Sequence, residues 1–148
     1  MQRVDRARPS CFTVGAPRPR VLVADDDDLL RSFLVTGLRA AGFDVVAVAD
    51  GGEALGLFRG QGPFDLLLLD EEMPQVSGRA VLRKLRAEGE TLPAVLFSGS
   101  LTLADAEQHA LGVGPVVHKP CGLAALVEAL CQALAAGAPV HRATAHCA

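Results

Sequence analysis

From Val21 onward the chain alternates short aliphatic runs with stretches in which apolar residues recur every three or four positions. The runs Val21 to Ala24, Asp44 to Val48, Phe64 to Leu69, Ala94 to Phe97 and Pro115 to His118 read as five strands. The stretches between and after them predict helices near Leu29 to Ala41, Gly52 to Arg59, Gly78 to Ala87, Leu103 to Ala110 and Leu123 to Ala135. Leu30, Phe33, Leu34 and Leu38 form the apolar stripe of the first helix. Leu123, Leu126, Val127, Leu130 and Leu134 form that of the last. Gly42, Gly60 and Gly89 stand where a left-handed residue closes the first three helices, and Asp50 stands at the N-cap of the second.

Strands alternating with helices predict an α/β fold with a parallel sheet. Right-handed crossovers favour a doubly wound, five-stranded, three-layer α/β/α arrangement in the order 2-1-3-4-5, which makes the first and third strands neighbours. Both strands end in acid: Val23-Ala24-Asp25-Asp26 and Leu68-Leu69-Asp70. Ligands of such sheets bind beyond the carboxyl ends of the strands, so the order alone brings three carboxylates to one cleft.

Composition adds limits to this picture. Half of the 148 residues are apolar, enough for one sizeable core, which predicts a single domain over residues 20–136 between a flexible basic leader at 1–19 and a flexible tail at 137–148. Leu66 to Leu69 is the longest aliphatic run in the middle of the chain, far below the roughly 18–20 residues that cross a bilayer. The leader MQRVDRARPSCFTVGAPRPR has no apolar signal-peptide core, so no membrane partner and a cytoplasmic location are expected. Five arginines against one aspartate in residues 1–20, within a net charge of −3, leave about −7 on the remainder. That acidic body disfavours nucleic acid as a partner. Cys11, Cys121, Cys131 and Cys147 show no metal-site or disulfide spacing, and His141, His146 and Cys147 are read as accidental neighbours.

Three adjoining carboxylates repel one another, and burying them requires a compensating cation. An all-oxygen donor set with no histidine or cysteine nearby in sequence selects a hard ion such as Mg²⁺, with Asp70 and Asp26 as ligands, Asp25 direct or through water, and the Glu72 backbone carbonyl as a third oxygen. Asp27 and Asp28 are better read as a helix cap and an acidic first turn. Ser98 and Lys119 end two further strands; Lys119 is one of two lysines among fourteen basic residues and offers a compact charge for a phosphoryl oxygen. A cis Lys119–Pro120 bond would suit the corner there.

The segments VLVADDDDLLRSFL, FDLLLLDEEMPQVSG, LPAVLFSGS and VVHKP, with DGGEAL at Asp50 to Leu55, together resemble the receiver domain of response regulators across residues 20 to 135. The resemblance implies a flavodoxin-like receiver fold. It further implies Asp70 as phosphoacceptor, Asp25 and Asp26 as Mg²⁺ ligands, Ser98 as switch hydroxyl and Lys119 as phosphoryl contact. The implied donor is a histidine kinase or phosphotransfer protein. The implied target is a protein that reads the face built from the fourth helix, fifth strand and fifth helix. No enzymatic activity is implied beyond self-phosphorylation and autodephosphorylation. A monomer or weak dimer is expected. Val116 occupies a position where many receivers carry an aromatic ring, so a ring rotation there is not the switch. Glu71 and Glu72 read as solvated loop acids, with the alternative that Glu72, two residues past Asp70, faces the phosphoryl group and sets the lifetime of the phosphorylated state. The competing expectations are a degenerate receiver used as a scaffold, a receiver that is part of a hybrid kinase, and a haloacid-dehalogenase-like phosphatase, whose acid spacing Asp25 and Asp27 share.

Overall fold

In a computed structural model, the structure describes residues 15–99 and 105–146, apart from the side chains of Asp105 and of residues 137–146. Five parallel strands, β1 (Arg20–Ala24), β2 (Asp44–Val48), β3 (Leu66–Asp70), β4 (Ala94–Ser98) and β5 (Val117–His118), form one sheet in the order β2-β1-β3-β4-β5. Between and after them run α1 (Asp28–Ala41), α2 (Gly51–Gln61), α3 (Gly78–Ala87), α4 (Asp105–Leu111) and α5 (Leu123–His146). The doubly wound order expected from the alternating pattern is the one observed.

Because side chains alternate across a strand, each central strand serves two cores. Leu22, Leu67, Leu69 and Leu96 pack on one face with Ala54 and Leu55 of α2 and Val81, Leu82 and Leu85 of α3. Val21, Val23, Leu66, Leu68 and Val95 pack on the other with Leu34 and Leu38 of α1 and Leu126 and Leu130 of α5. The unbroken run Leu66 to Leu69 is thus apolar on both sides because both sides are covered.

Helix ends follow their local chemistry. Asp27 caps α1, its side chain accepting from the Leu29 and Leu30 amides, and Gly42 closes the helix in the left-handed region at φ 111°. Asp50 caps α2 by accepting from the Glu53 amide, and Ser77 caps α3 by accepting from Ala80. Gly60, expected to end α2, lies inside it, and the helix stops one residue later before the cis Gly62–Pro63 bond. Phe33, assigned to the buried stripe of α1, is 52% exposed, because Leu34 and Leu38 take the sheet-facing positions.

Further departures lie in the C-terminal part. α5 continues past the predicted end at Ala135, through Gly137 and Pro139, so the expected boundary at 136–137 falls inside a helix. β5 is shorter than predicted. Leu103 and Ala104, read as the start of the fourth helix, lie outside the described residues, as do most of the leader and residues 147–148. Cys131 is disulfide-bonded, which corrects the expectation of no disulfide. Spacing along the chain carries no information on which cysteines the fold brings together. Among the described residues no helix is long and apolar enough to cross a membrane.

One contact joins the scaffold directly to the strand ends. A Cβ on Gly78, the first residue of α3, would lie 2.6 Å from the Asp70 carbonyl oxygen, so only glycine lets the helix start this close to β3. Gly78→Ala is expected to destabilise the domain by about 1–3 kcal/mol through that overlap. An unchanged midpoint in chemical denaturation would contradict the packing described.

Candidate functional site

β1 and β3 lie side by side with Ala24 opposite Leu69, so the next residue of each chain segment, Asp25 and Asp70, leaves the sheet beside the other. Asp25 is held by its amide, which donates to the Val48 carbonyl at 3.1 Å, and its Oδ1 accepts from the Asp27 amide at 2.9 Å. The Asp70 Oδ1 accepts from the Glu72 amide at 3.1 Å. Asp25 is 1% exposed and Asp70 2%, whereas Asp26 faces solvent. Carboxylate oxygens of Asp25, Asp26 and Asp70 all come within 4.8 Å of one another.

Lys119 is delivered from the far side of the site. Its amide donates to the Ser98 carbonyl at 2.7 Å, continuing the β4–β5 ladder, and the Lys119–Pro120 bond that follows is cis. The ammonium Nζ then lies 3.2 Å from Asp70 Oδ1 and 3.8 Å from Asp25 Oδ2, above the Phe97 ring at 4.7 Å from its centroid. One compact cation therefore faces two buried carboxylates.

The imbalance shows in the protonation of the acids. Burial, with a further contribution from the charge on Asp25, pushes the Asp70 carboxyl up to about 7, against the opposing Glu72 amide and Lys119. Burial likewise raises Asp25; the Asp27 amide and Lys119 oppose it, and the charges of Asp26 and Asp27 add to it. Among the described residues, the buried Asp25 Oδ2 has no hydrogen-bond partner. An all-oxygen cluster with excess negative charge and an orphaned carboxylate oxygen fits a hard divalent cation.

Ser98 ends β4 and is fully buried, one residue beyond Phe97, which pairs with Asp70. Its hydroxyl donates to Glu72 Oε1 at 2.6 Å. The Glu72 side chain, read either as a solvated loop acid or as facing the phosphoryl group, is turned onto Ser98 and Gly99, whose donors lie across the loop from it. Asp25, Asp26, Asp70 and Lys119 are thus brought together as the sequence suggested, with Ser98 joined through Glu72. Asp27 is committed to capping α1 and stays out of the cluster.

Two residues with no signature in the linear pattern also shape the site. Arg31, paired with Asp28, donates from Nη1 to the Asp25 carbonyl at 2.9 Å. Arg79 binds Glu71 through its amide at 2.8 Å and reaches Glu107 of α4 through Nη1 at 3.2 Å. Glu71 is therefore half-buried in an ion-paired network, contrary to its reading as a solvated acid. Its partners lie 8 residues away at Arg79 and, through that arginine, a further 28 residues away at Glu107, beyond any helical or strand period.

Because the Asp70 pKa is raised in the folded state above the ordinary carboxylate value of about 4, folding favours its protonated form. This contribution to stability is complete below about pH 4 and is lost as pH rises through about 7. Without divalent cations, Asp70→Asn is expected to melt at a higher temperature than the parent at neutral pH, with the gap closing toward about pH 4. A gap that does not vary with pH in thermal melts would contradict this account.

The comparisons with known proteins agree with this geometry. The family model for the response regulator receiver domain matches residues 21–131. The chain is 34% identical over 129 residues to the alkaline phosphatase synthesis transcriptional regulatory protein SphR of Synechococcus elongatus, covering 81% of this chain and 50% of SphR. It is 37% identical over 114 residues to the transcriptional regulatory protein PrrA of Mycobacterium bovis, covering 76% of this chain and 48% of PrrA. The chain spans about half the length of these curated relatives. A response regulator receiver protein from Pseudomonas putida superposes with a TM-score of 0.70 at 32% identity, covering 77% of this chain and 96% of that one. With its parallel sheet, its acidic strand ends and these matches, the chain belongs to the response regulator receiver domain family.

Proposed function

We propose that this domain accepts a phosphoryl group on Asp70 from a phosphohistidine of a histidine kinase or phosphotransfer protein, and signals by a phosphorylation-dependent change in what it binds. The observation that carries this reading is the Asp70 carboxylate, buried at a strand end, with the Lys119 ammonium 3.2 Å from one of its oxygens and two more aspartates beside it.

Attack by a carboxylate on an anionic phosphorus centre needs neutralised charge and fixed alignment. Asp25, Asp26, Asp70 and the Glu72 backbone carbonyl would hold Mg²⁺, which supplies charge neutralisation when bound. The remaining work belongs to the chain's own residues. Asp70 forms a bond from carboxylate oxygen to phosphorus as the bond from phosphorus to the donor imidazole breaks, and the imidazole nitrogen keeps the electron pair. Lys119 stabilises the negative oxygens during this transfer. Burial that raises the Asp70 pKa makes the acceptor sensitive to nearby positive charge, since only its ionised form is a nucleophile.

A phosphoryl group adds charge and acceptor oxygens beside Ser98, which gives the two states different contacts. Val116 is packed against the α2/α3 core cluster, so no ring rotation at that position transmits the change. The proposed output surface is the α4-β5-α5 face, and the acidic composition of the domain supports a protein partner there. The relatives are named as transcriptional regulators and the match covers about half of each, so any nucleic-acid contact in such proteins need not involve the matched half.

Incubation with Mg²⁺ and a small phosphodonor is expected to add the mass of one phosphoryl group in an acid-stable, base-labile form. Asp70→Asn should show no gain, and Lys119→Ala should slow the modification about 100-fold. No gain in the parent, under conditions that modify an unrelated receiver, would favour the scaffold reading.

A further inference from the structure

Glu72 is attached to both halves of the site. Its amide donates to Asp70 Oδ1 at 3.1 Å, while its carboxylate crosses to the end of β4. There Oε1 accepts the Ser98 hydroxyl at 2.6 Å and Oε2 accepts the Gly99 amide at 3.3 Å. A carboxylate gripping two consecutive donors is a more specific arrangement than a solvated loop acid would make, and the short hydroxyl bond is of the charge-assisted kind.

The chemistry of these donors sets up a competition. A serine hydroxyl has one proton, so while it is donated to Glu72 it is not donated to a group on Asp70. Ser98 lies one residue past the ladder partner of Asp70, and the Glu71 amide donates to the Phe97 carbonyl at 3.0 Å, which ties the two strand ends together at this corner. A phosphoryl group on Asp70 would bring acceptor oxygens to the same corner and a like charge toward the Glu72 carboxylate. Glu72 is exposed, so its side chain can swing into solvent without a desolvation cost.

We propose that Glu72 is an autoinhibitory latch: in the resting domain its carboxylate occupies the Ser98 hydroxyl and the Gly99 amide, and a phosphoryl group on Asp70 activates the domain by displacing it from them. This inference rests on Asp70 being the phosphoacceptor. It assigns to Glu72 a role in the resting state, separate from any effect on the water that would hydrolyse an aspartyl phosphate. It also places the resistance to switching in the loops after β3 and β4, the region left to carry the change when residue 116 is valine.

Affinity for beryllofluoride in the presence of Mg²⁺ tests the latch, because this phosphoryl mimic binds without a hydrolytic step; ¹⁹F NMR reads the binding. Glu72→Ala is expected to bind beryllofluoride about tenfold more tightly than the parent, as one charge-assisted hydrogen bond no longer has to be broken. Glu72→Gln keeps the shape of the side chain with a weaker acceptor and should show a smaller gain, about threefold. In a Ser98→Ala background, Glu72→Ala should change the affinity by only about twofold, since the charge-assisted hydroxyl bond is already gone and the longer Gly99 contact alone remains. Equal affinity in Glu72→Ala and the parent overturns the latch while leaving the phosphoacceptor reading intact. A full tenfold gain in the Ser98→Ala background also overturns it, because simple charge repulsion then accounts for the effect. Absence of binding in the parent and in all the variants retires the phosphoacceptor reading and the latch with it.

Discussion

Two carboxylates, Asp25 and Asp70, are buried at the ends of adjacent parallel strands, and one ammonium faces both. In water these acids would be ionised and far apart. The parallel pairing of β1 and β3 forces them together, and the layers of α1/α5 and α2/α3 remove the solvent that would screen them. Lys119 offsets part of the repulsion, yet Asp70 remains raised to about 7, and among the described residues Asp25 Oδ2 finds no hydrogen-bond donor. The cluster is therefore held in place by the scaffold against its own electrostatics, and it is poised for added positive charge.

The scaffold meets that demand through rigid, locally specified pieces. The strands beneath the site are apolar on both faces, the helices that flank it are capped by Asp27, Asp50 and Ser77, and Gly78 lets α3 begin against the Asp70 backbone. Around this rigid base the loop after β3 reaches outward in two directions. Glu71 turns toward Arg79 and through it to Glu107 on α4, while Glu72 turns toward Ser98 and Gly99. Both routes leave from residues close to Asp70 in sequence, so a change of charge at Asp70 would act first on polar contacts.

That division gives a physical sense to the valine at 116. Val116 carries no ring and is seated against the apolar core. The Glu72 carboxylate and the Arg79 network instead engage donors and charges whose partners can be exchanged without opening a cavity. Coupling of this kind responds to charge, and its strength depends on how completely each donor is satisfied in the two states.

The linear pattern determined the strand and helix order, the doubly wound sheet and the acidic strand ends, because period-two and period-3.6 apolar spacing, caps and crossover handedness are local or topological rules. Asp25, Asp26, Asp70 and Lys119 were legible as a group for the same reason: each follows directly on a strand whose neighbours the topology names. The tertiary structure alone decided that Phe33 faces solvent, that Cys131 is bonded, that Glu71 is half-buried on Arg79 and that Glu72 points to Ser98. The last two depend on side chains 8, 26 and 28 residues apart meeting across loops, where no period operates and the direction of a long side chain is set by the donors the folded chain places within its reach.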